Sequence, residues 1–582
     1  MNVFNKLLLL TSAVVLLQCQ KDRDQYFERS ILGGKPIYEV LEDEGRFGLF
    51  LQCVERSAHA ENFKGNGYWT VFAPNDEAMS IYLSQKSYAS VAEVPTAEVE
   101  KIVAYSMLFT KYPFDRLTAV LSGGWDTLKS VKKKTPYYET LHKESYKGAE
   151  VWVANPTGYT SFSLNDNNYK YMPMYLARNF SGNSSDYETF YPRPYTGRNV
   201  QGASIYGERG RYDMEAANGI IHEVDRVNEP LPNLEDLLKD NSYSKYRELL
   251  DFKNAVGEPY YYQYLTSEQV KSYYQNMYPD SGISELYIKF YNVPYEFLRP
   301  GAVVVDAQIA IPLNVERFFM SPGEEGGGYT LFAPTNTAVE KFEQDVLSHY
   351  ADAAWARDGA TVINLPTNVR RYFINAHMRQ YVTWPSSYKT ARNVYENFIN
   401  GEGSSGYDFD NLSYPDLKVA SNGLFYGSKN YIKTHWFESV LTEVLLRPDR
   451  YRYMYNALNS NLPTLMEDFI RCPLFAYPDN DYAVLLLSDD LLGRPEDGFP
   501  NGDGFSWVWS GSTEAFAHSN TVYSAQLRIE RLVRSHTFKR VRADRVDFMG
   551  DPGGPYNGYA YAVNDYGDMV RYKNNQLQML GN

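Results

Sequence analysis

The sequence predicts an α+β protein in which one structural unit is used three times. Pairs of helix-like segments carry apolar residues at three- and four-residue steps, which is typical of helices that bury one face. Each pair is followed by a short aromatic and β-branched strand that runs into a turn and another helix. Hydrophobic residues make up 44% of the 582 residues and charged residues 22%, which is ordinary for globular proteins. We therefore expect several packed domains, since a domain takes about 150 residues.

A pair of amphipathic helices opens each unit. The predicted pairs span 37–41 with 46–50, 233–238 with 246–250, and 455–458 with 465–469. Asn233 follows a proline at the start of the second pair and is a predicted N-cap, because its side chain can accept a hydrogen bond from the first turn.

A strand–turn–helix box, called the box strand below, follows each helix pair. The three boxes are Tyr68–Asp76, Tyr329–Asn336 and Tyr482–Asp489. Aromatic and β-branched residues favour a buried strand, proline ends the ladder in the first two boxes, and the Asn, Thr or Ser that follows can cap the next helix.

A closing strand ends the first two units after an Asn-Gly pair. Asn218-Gly219 and Asn422-Gly423 are predicted type I′ turns, whose two central residues need positive φ. His222 shares strand parity with Ile220 and Val224, so we expect a hydrogen-bonded core histidine. The second unit has Tyr426 at that position, which argues against a shared metal or catalytic role. The helix before the closing part ends at Ser106, His377 and His536 in the three units.

Together, the box Thr70–Asp76, the helix that ends near Ser106 and the closing segment Asn218–Asp225 resemble the fasciclin domain. The resemblance implies tandem fasciclin-like domains, each a β-sandwich or wedge with packed helices. The expected domains span 37–232, 233–449 and 450–582. The third is divergent: Leu487 replaces the box proline, and no Asn-Gly closing strand follows, so we expect an incomplete copy.

The first residues predict export and a lipid anchor. The apolar run Leu7–Leu17 is too short for a membrane-spanning helix, which needs about 20 residues, and fits a signal peptide over 1–18. Cys19 follows as in a bacterial lipobox and is the predicted lipid-attachment residue, with a tether over 19–36. Residues 20–24 are similar to the export signal of surface lipoproteins of Bacteroidota. The resemblance implies an outer-membrane lipoprotein that faces the cell exterior; the alternative is a signal peptide cleaved elsewhere.

Tyrosine is the compositional outlier, with 52 residues. Residues 251–300, most of which belong to a predicted insertion over 253–328, are about twofold enriched in tyrosine, and flat rings give contact area at low entropic cost. The candidate ligand-binding residues are Tyr260, Tyr261, Tyr262, Tyr264, Tyr273 and Tyr274. The alternative, rated equal, is that these rings fill the insertion's own core. A second insertion, Ser161–Arg211, is predicted to form long loops with the same ambiguity.

The sequence carries no nucleophile elbow, phosphate-binding glycine loop or two-histidine zinc helix. We therefore expect a non-catalytic protein without cofactor or metal. The formal charge of −14 disfavours nucleic acid as a partner. Cys53 and Cys472 are expected to be buried and unpaired. The predicted function is adhesion or binding of an extracellular glycan or protein; the alternative is an accessory subunit of a SusC/SusD-type outer-membrane importer.

Overall fold

The protein is an α+β chain in the computed structural model. The structure describes residues 34–155, 169–293, 308–315, 328–394, 416–454, 480–489, 505–510, 515–518, 535–541, 560–563, 569–573 and 576–579, except 66, 123–124, 128–131, 139–140, 181–183, 278–281, 439–440 and 453. Cys19, the tether, Cys472 and the predicted helix pair of the third unit lie outside these residues.

The described α-helices are short and are numbered in chain order. They are α1 Ile37–Glu44, α2 Gly48–Arg56, α3 Ala60–Lys64, α4 Asp76–Gln85, α5 Thr96–Tyr105, α6 Ala177–Phe180, α7 Ser184–Phe190, α8 Leu234–Leu237, α9 Ser244–Leu250, α10 Glu268–Met277, α11 Asn336–Asp345, α12 Thr367–Ala376, α13 His435–Glu438 and α14 Leu441–Leu446. Of these helices, none is both long and apolar enough to cross a membrane.

The strands fall into several small sheets. They are β1 Trp69–Pro74, β2 Met107–Phe109, β3 Val120–Ser122, β4 Trp125–Thr127, β5 Lys132–Tyr138, β6 His142–Tyr146, β7 Ala149–Ala154, β8 Tyr169–Leu176, β9 Arg198–Val200, β10 Ala203–Ser204, β11 Met214–Ala216, β12 Gly219–Val224, β13 Tyr262–Thr266, β14 Leu286–Tyr291, β15 Tyr329–Pro334, β16 Met378–Arg379, β17 Asp416–Ala420, β18 Gly423–Ser428, β19 Asn480–Val484, β20 Phe505–Ser510, β21 Ala515–His518, β22 Thr537–Val541, β23 Ala560–Val563, β24 Met569–Lys573 and β25 Gln576–Met579.

Two four-stranded sheets of the same topology lie at the centres of the first two units. The strand order is β11-β12-β1-β2 in the first and β17-β18-β15-β16 in the second. In both sheets the box strand runs parallel to the closing strand and antiparallel to the short strand after the next helix. The repetition that the sequence predicts is therefore present in the backbone of these two segments.

Each of these sheets is covered on both faces. In the first unit, Val71 and Ile221 pack in the core with α1, α2 and α5, whereas Phe72 packs on the opposite face with Met172 and Met174 of β8. The second sheet likewise places Leu331 in the helical core and Phe332 in a second cluster. Strands buried on both sides are rich in apolar residues rather than strictly alternating.

The predicted helix caps of the first two units are confirmed. The side chains of Asn75 and Thr335 accept hydrogen bonds from Ala78 N (2.9 Å) and Ala338 N (3.4 Å) at the starts of α4 and α11. Asn233 accepts one from the backbone N–H of Asp236 at 2.8 Å in a capping box. These bonds satisfy first-turn N–H groups that have no partner within the helix.

The Asn-Gly hairpins are present, but the predicted type I′ turn is wrong. Ala216 pairs with Gly219 and Ala420 with Gly423, so each asparagine lies inside a two-residue loop and each glycine begins the closing strand. Asn218 and Asn422 do not have positive φ. Glycine is needed for a different reason: a Cβ at Gly219 would overlap the carbonyl oxygen of Trp69 on the parallel strand, and Gly423 meets Tyr329 in the same way.

The asparagines pin each closing strand to the start of its own unit. Asn218 Oδ1 accepts from Ile37 N at 2.8 Å, and Asn218 Nδ2 donates to Asn62 O at 2.7 Å. Asn422 makes the equivalent bonds to Leu234 N (2.9 Å) and Leu313 O (2.8 Å). Each unit is thus closed by an asparagine side chain that bridges its first and last elements.

The prediction of long loops over Ser161–Arg211 is wrong for its described part, which contains β8, α6, α7, β9 and β10. Strand β8 pairs with β5 and β9 and covers the first sheet. Helix α7 instead reaches the second unit: Phe190 packs with Phe332 and Tyr426 on the second sheet. Asp186, which is buried, accepts hydrogen bonds from Ser386 N (2.8 Å) and Ser386 Oγ (2.6 Å).

The tyrosine-rich insertion also connects the two units. Its strands β13 and β14 join the hairpin β6–β7 of the first unit in one four-stranded sheet, ordered β13-β14-β7-β6. The joining pair is parallel, with Leu286 opposite Trp152 and Ile288 opposite Ala154. Because backbone hydrogen bonds cross from one unit to the other, the units share a sheet.

The third unit repeats one part of the pattern. Strand β19 pairs antiparallel with β22, and Leu485 N donates to His536 O at 2.9 Å. The same bond joins Phe72 N to Ser106 O (2.8 Å) and Phe332 N to His377 O (2.9 Å). Among the described strands, β19 pairs with β22 alone.

Candidate functional site

The six candidate tyrosines divide into buried and half-buried side chains. Tyr261, Tyr262 and Tyr274 are buried, whereas Tyr260, Tyr264 and Tyr273 are half-buried. Tyr261 and Tyr262 belong to the core of the second unit, and Tyr274 packs in a separate cluster with Val270 and Ile283. For the three buried rings the structure favours the core-filling interpretation; the binding role stays a prediction for the half-buried ones.

A buried ionic cluster lies where the insertion meets both units. Lys289 of β14 is 5% exposed, and its Nζ lies 3.1 Å from Glu144 Oε2 of β6 and 2.5 Å from Glu235 Oε1 of α8. Tyr264 and Tyr291 donate hydroxyl hydrogen bonds to Glu144 (2.5 Å) and Glu235 (2.7 Å). Pairing of this kind is what allows charge inside a protein.

Lys289 and Glu144 in this cluster stay charged near neutral pH. Burial disfavours the charged ammonium, but Glu235 and Glu144 outweigh it and hold the pKa of Lys289 well above its ordinary value. For Glu144, burial is likewise outweighed, by the hydrogen bond from His142 and the charge of Lys289, and its pKa lies below the usual range. Groups locked in their charged forms near neutral pH are poorly placed to exchange protons, so this arrangement suits a structural role.

His222 and His377 are buried, and backbone groups occupy both nitrogens of each ring. His222 Nε2 lies 3.0 Å from Tyr112 O, and its Nδ1 accepts from Asp213 N at 3.3 Å. His377 Nδ1 lies 2.8 Å from Phe373 O, and its Nε2 accepts from Ile432 N at 3.1 Å. Burial lowers the pKa of both rings, that of His377 to about 4. Both are neutral structural residues near pH 7.

Tyr426 does in the second unit what His222 does in the first. Tyr426 OH donates to Thr383 O at 2.6 Å. Thr383 corresponds to Tyr112 of the first unit, because the backbone N–H of each residue donates to the threonine of its box strand. Each ring also stacks on the box-strand phenylalanine, Phe72 for His222 and Phe332 for Tyr426, at an interplanar angle of 27°. The exchange of histidine for tyrosine therefore preserves one hydrogen bond and one stacking contact.

Glu223 is a buried carboxylate on the closing strand of the first unit. Arg46 Nε and Arg211 Nε donate to Glu223 Oε2 at 2.8 and 2.9 Å, and Asn75 Nδ2 donates to Oε1 at 2.9 Å. These donors outweigh the cost of burial and lower the pKa of Glu223.

An exposed aromatic surface, here called the aromatic edge, lies at the β1–β2 end of the first sheet. Its members are Trp69, Phe109 and Tyr169, whose rings pack together, and Tyr68, which precedes Trp69 in the chain. The side chains of Tyr68 and Phe109 are 60% and 38% exposed. The Phe109 ring lies 5.6 Å from the Trp69 ring and 5.8 Å from the Tyr169 ring. Lys134 Nζ lies 4.3 Å from the Tyr169 ring centre. Such a group of rings offers apolar contact area with a cation at its border.

Sequence reasoning missed the ionic cluster and the aromatic edge. The members of the cluster are far apart in sequence, but Lys289 is a lone charge in the strand Leu-Tyr-Ile-Lys-Phe-Tyr, which is a signal for a paired buried lysine. The aromatic edge unites β1, β2 and β8, and no local pattern brings these strands together. Among the described residues, no group of three His, Cys, Asp or Glu side chains could hold a metal ion.

Comparisons with known proteins give matches among solved structures alone. No family model and no curated protein matches the chain. A solved structure that matches is a FAS1 domain pair from the insect cell adhesion molecule fasciclin I, at 10% identity over 69% of this chain and 96% of that chain, with a TM-score of 0.19. A likeness this weak carries no argument about fold or function; the class that the coordinates define is an α+β protein with a repeated sheet.

Proposed function

We propose that this chain is a non-catalytic, lipid-anchored surface protein with tandem fasciclin-like domains, which binds an extracellular glycan or protein. The aromatic edge carries the proposal, because the exposed Phe109 ring packs there against two half-buried rings, with the exposed Tyr68 adjacent in the chain. Large exposed aromatic side chains on a fixed scaffold are typical of binding surfaces.

The buried polar groups support a scaffold role. His222, His377, Glu223 and Lys289 each have their polar atoms engaged by neighbouring backbone or charged groups. The lipobox-like Cys19 and the sequence boxes of the fasciclin type support the surface location and the class. The fasciclin resemblance implies adhesion, and the aromatic edge supplies a contact surface for it.

Ligand retention by the full chain tests the aromatic edge. We expect Tyr68→Ser combined with Phe109→Ser to weaken retention on immobilised matrix or glycan at least about tenfold, since central aromatic contacts dominate many interfaces. Tyr381→Ser is the matched control, because Tyr381 is 57% exposed on the second unit. Equal retention by the double variant and the control would remove the aromatic edge from the proposal.

The half-buried tyrosines of the insertion need a separate variant. Replacement of Tyr261 or Tyr262 removes core, so a loss of binding there would report unfolding. Tyr260→Ala with Tyr273→Ala keeps the buried rings in place. Weaker retention by this variant, with an unchanged melting temperature, would place ligand on the insertion.

Two cell-based measurements test location and partner. An antibody against the chain should label intact cells, and Cys19→Ser should release the protein from membranes; labelling only after permeabilisation would contradict the surface location. Co-purification with a large β-barrel in mild detergent would instead favour the importer alternative.

A further inference from the structure

Arg370 is a buried cation without a counter-charge. The residue lies on α12 and is 3% exposed. Its Nη2 donates to Ile363 O and Leu365 O, both at 2.8 Å, and its guanidinium carbon lies 3.5 Å from the centre of the Phe252 ring. Its Nε and Nη1 are buried without a hydrogen-bond partner. In the part of the chain that the structure describes, no carboxylate is within ion-pair distance of it.

Two other buried charges are paired with groups of opposite charge. Lys289 lies between two carboxylates, and Glu223 accepts from two arginines. A buried charge without a partner is strongly unfavourable. The open nitrogens of Arg370 therefore indicate a missing anion.

The first unit shows that the scaffold does not require arginine here. Helices α5 and α12 both have ten residues, follow a proline and occupy the same place in their units. The fourth residue of α5 is Val99, which is fully buried in the apolar core. The fourth residue of α12 is Arg370, so the cation is particular to the second unit.

The surroundings of Arg370 have the features of a small polar site. The Tyr261 hydroxyl is buried and lies close enough to the guanidinium to interact with it by hydrogen bonding as well as by charge, but no well-formed hydrogen bond joins the two groups. The 252–260 hairpin, in which Tyr260 N donates to Phe252 O at 2.8 Å, forms the outer wall. Phe252 and Tyr260 are both half-buried, and Val256 at the tip is 83% exposed. The guanidinium is thus one side-chain layer below the surface.

We propose that Arg370 and the Tyr261 hydroxyl bind a singly charged oxyanion group, a carboxylate or a sulfate, that enters past the 252–260 hairpin. A guanidinium forms strong, charge-assisted hydrogen bonds with such groups, and an anion would neutralise the buried cation. The Phe252 and Tyr260 rings at the entrance would contact the rest of the molecule that carries the group. This inference does not depend on the surface role or on the aromatic edge.

Calorimetric titration of the full chain tests the site at constant ionic strength. The probes are sodium acetate, sodium methyl sulfate and sodium glucuronate, which present a carboxylate, a singly charged sulfate ester and a sugar acid. We expect saturable one-to-one binding of at least one probe, weakened at least tenfold by Arg370→Val, the residue that the first unit uses. Arg357→Val, which removes an exposed arginine of the same unit, should leave the affinity unchanged.

A second variant separates binding from folding. Tyr261→Phe keeps the buried ring and removes only the hydroxyl, so we expect several-fold weaker binding with the fold intact by circular dichroism. Glucuronate binding at least tenfold tighter than acetate would identify a sugar acid, whereas similar affinities would identify a free oxyanion. Absence of saturable binding for all three probes, or equal binding by Arg370→Val and the native chain, would overturn the proposal.

Discussion

The first and second units share the topology of their central sheet and differ in the side chains that they bury. Both units place Asn and Gly at the start of the closing strand. The asparagine amide hydrogen-bonds to the first helix of its unit, and the glycine, which has no Cβ, lets the parallel box strand approach closely. The closing strands then diverge: His222 corresponds to Tyr426, and Glu223 corresponds to Gly427. The comparison teaches that main-chain contacts define this scaffold, whereas buried side chains can be exchanged between the units.

The two units are also joined through elements that the scaffold does not need. The β7–β14 pair crosses between them, the Lys289 cluster takes one carboxylate from each, and Phe190 of the first unit covers the sheet of the second. The insertions therefore connect the two units at the junction. We infer that the two units behave as one folded body.

The largest expected effect is loss of the charge at the junction. Lys289→Met leaves Glu144 and Glu235 buried without their cation, so the free energy of unfolding should fall by about 3–5 kcal/mol. Lys143→Met, which breaks the exposed pair with Glu150 on neighbouring strands, should change it by less than about 1 kcal/mol. Urea denaturation of the full chain measures both; similar values would refute the role of the cluster.

The second-largest expected loss of unfolding free energy comes from replacing the glycines that begin the two closing strands. Gly219→Ala and Gly423→Ala each push a Cβ into a carbonyl of the parallel strand, which should cost about 3 kcal/mol of unfolding free energy in either unit. Gly48→Ala is the control, because its Cβ would meet Asp76 at an ordinary 3.7 Å. A large loss in one unit alone would break the equivalence of the two sheets.

The pH dependence of stability should reflect the neutral buried histidines. Burial lowers the pKa of His377 to about 4, so the unfolded chain, with an ordinary value near 6.5, takes up the proton first. Stability is complete above pH 7 and should fall by about 2–3 kcal/mol towards pH 4.5 through this residue. His377→Ser, the residue of the first unit, should flatten the profile between these pH values. Parallel profiles for both proteins would contradict this account.

The smallest effect concerns the exchanged pair. Tyr426→Phe leaves one buried carbonyl without its donor, whereas His222→Phe also leaves the Asp213 N–H without its acceptor. We expect costs of about 1 kcal/mol for Tyr426→Phe and about 2 kcal/mol for His222→Phe. Tyr381→Phe removes an exposed hydroxyl and should cost nothing measurable in the same thermal scans. A cost at position 222 no larger than the cost at position 426 would show that the second hydrogen bond of the His222 ring contributes nothing.

Local patterns were sufficient for the elements of the scaffold. The helix pairs of the first two units, the box strands and the caps Asn75, Thr335 and Asn233 follow from periodicity and capping chemistry, and the structure contains them. The turn at Asn218-Gly219 was assigned the wrong geometry, since a turn signal does not reveal that a parallel strand lies against the glycine.

The junction could not be predicted because it depends on distant contacts. Tyr261 and Tyr274 looked like binding residues by composition, yet Tyr261 is buried in the core of the second unit and Tyr274 in the cluster beside β7. The partners Glu144 and Lys289 are separated by 145 residues, and no single-sequence pattern connects them.

Hydrogen exchange of the full chain in increasing urea, followed by mass spectrometry, tests most directly whether the two units are one body. Peptides from β1 and β15 should lose protection together, at one urea concentration and with one free energy. Loss of protection in β15 while β1 stays fully protected, or the reverse, would show two independent domains and contradict the account.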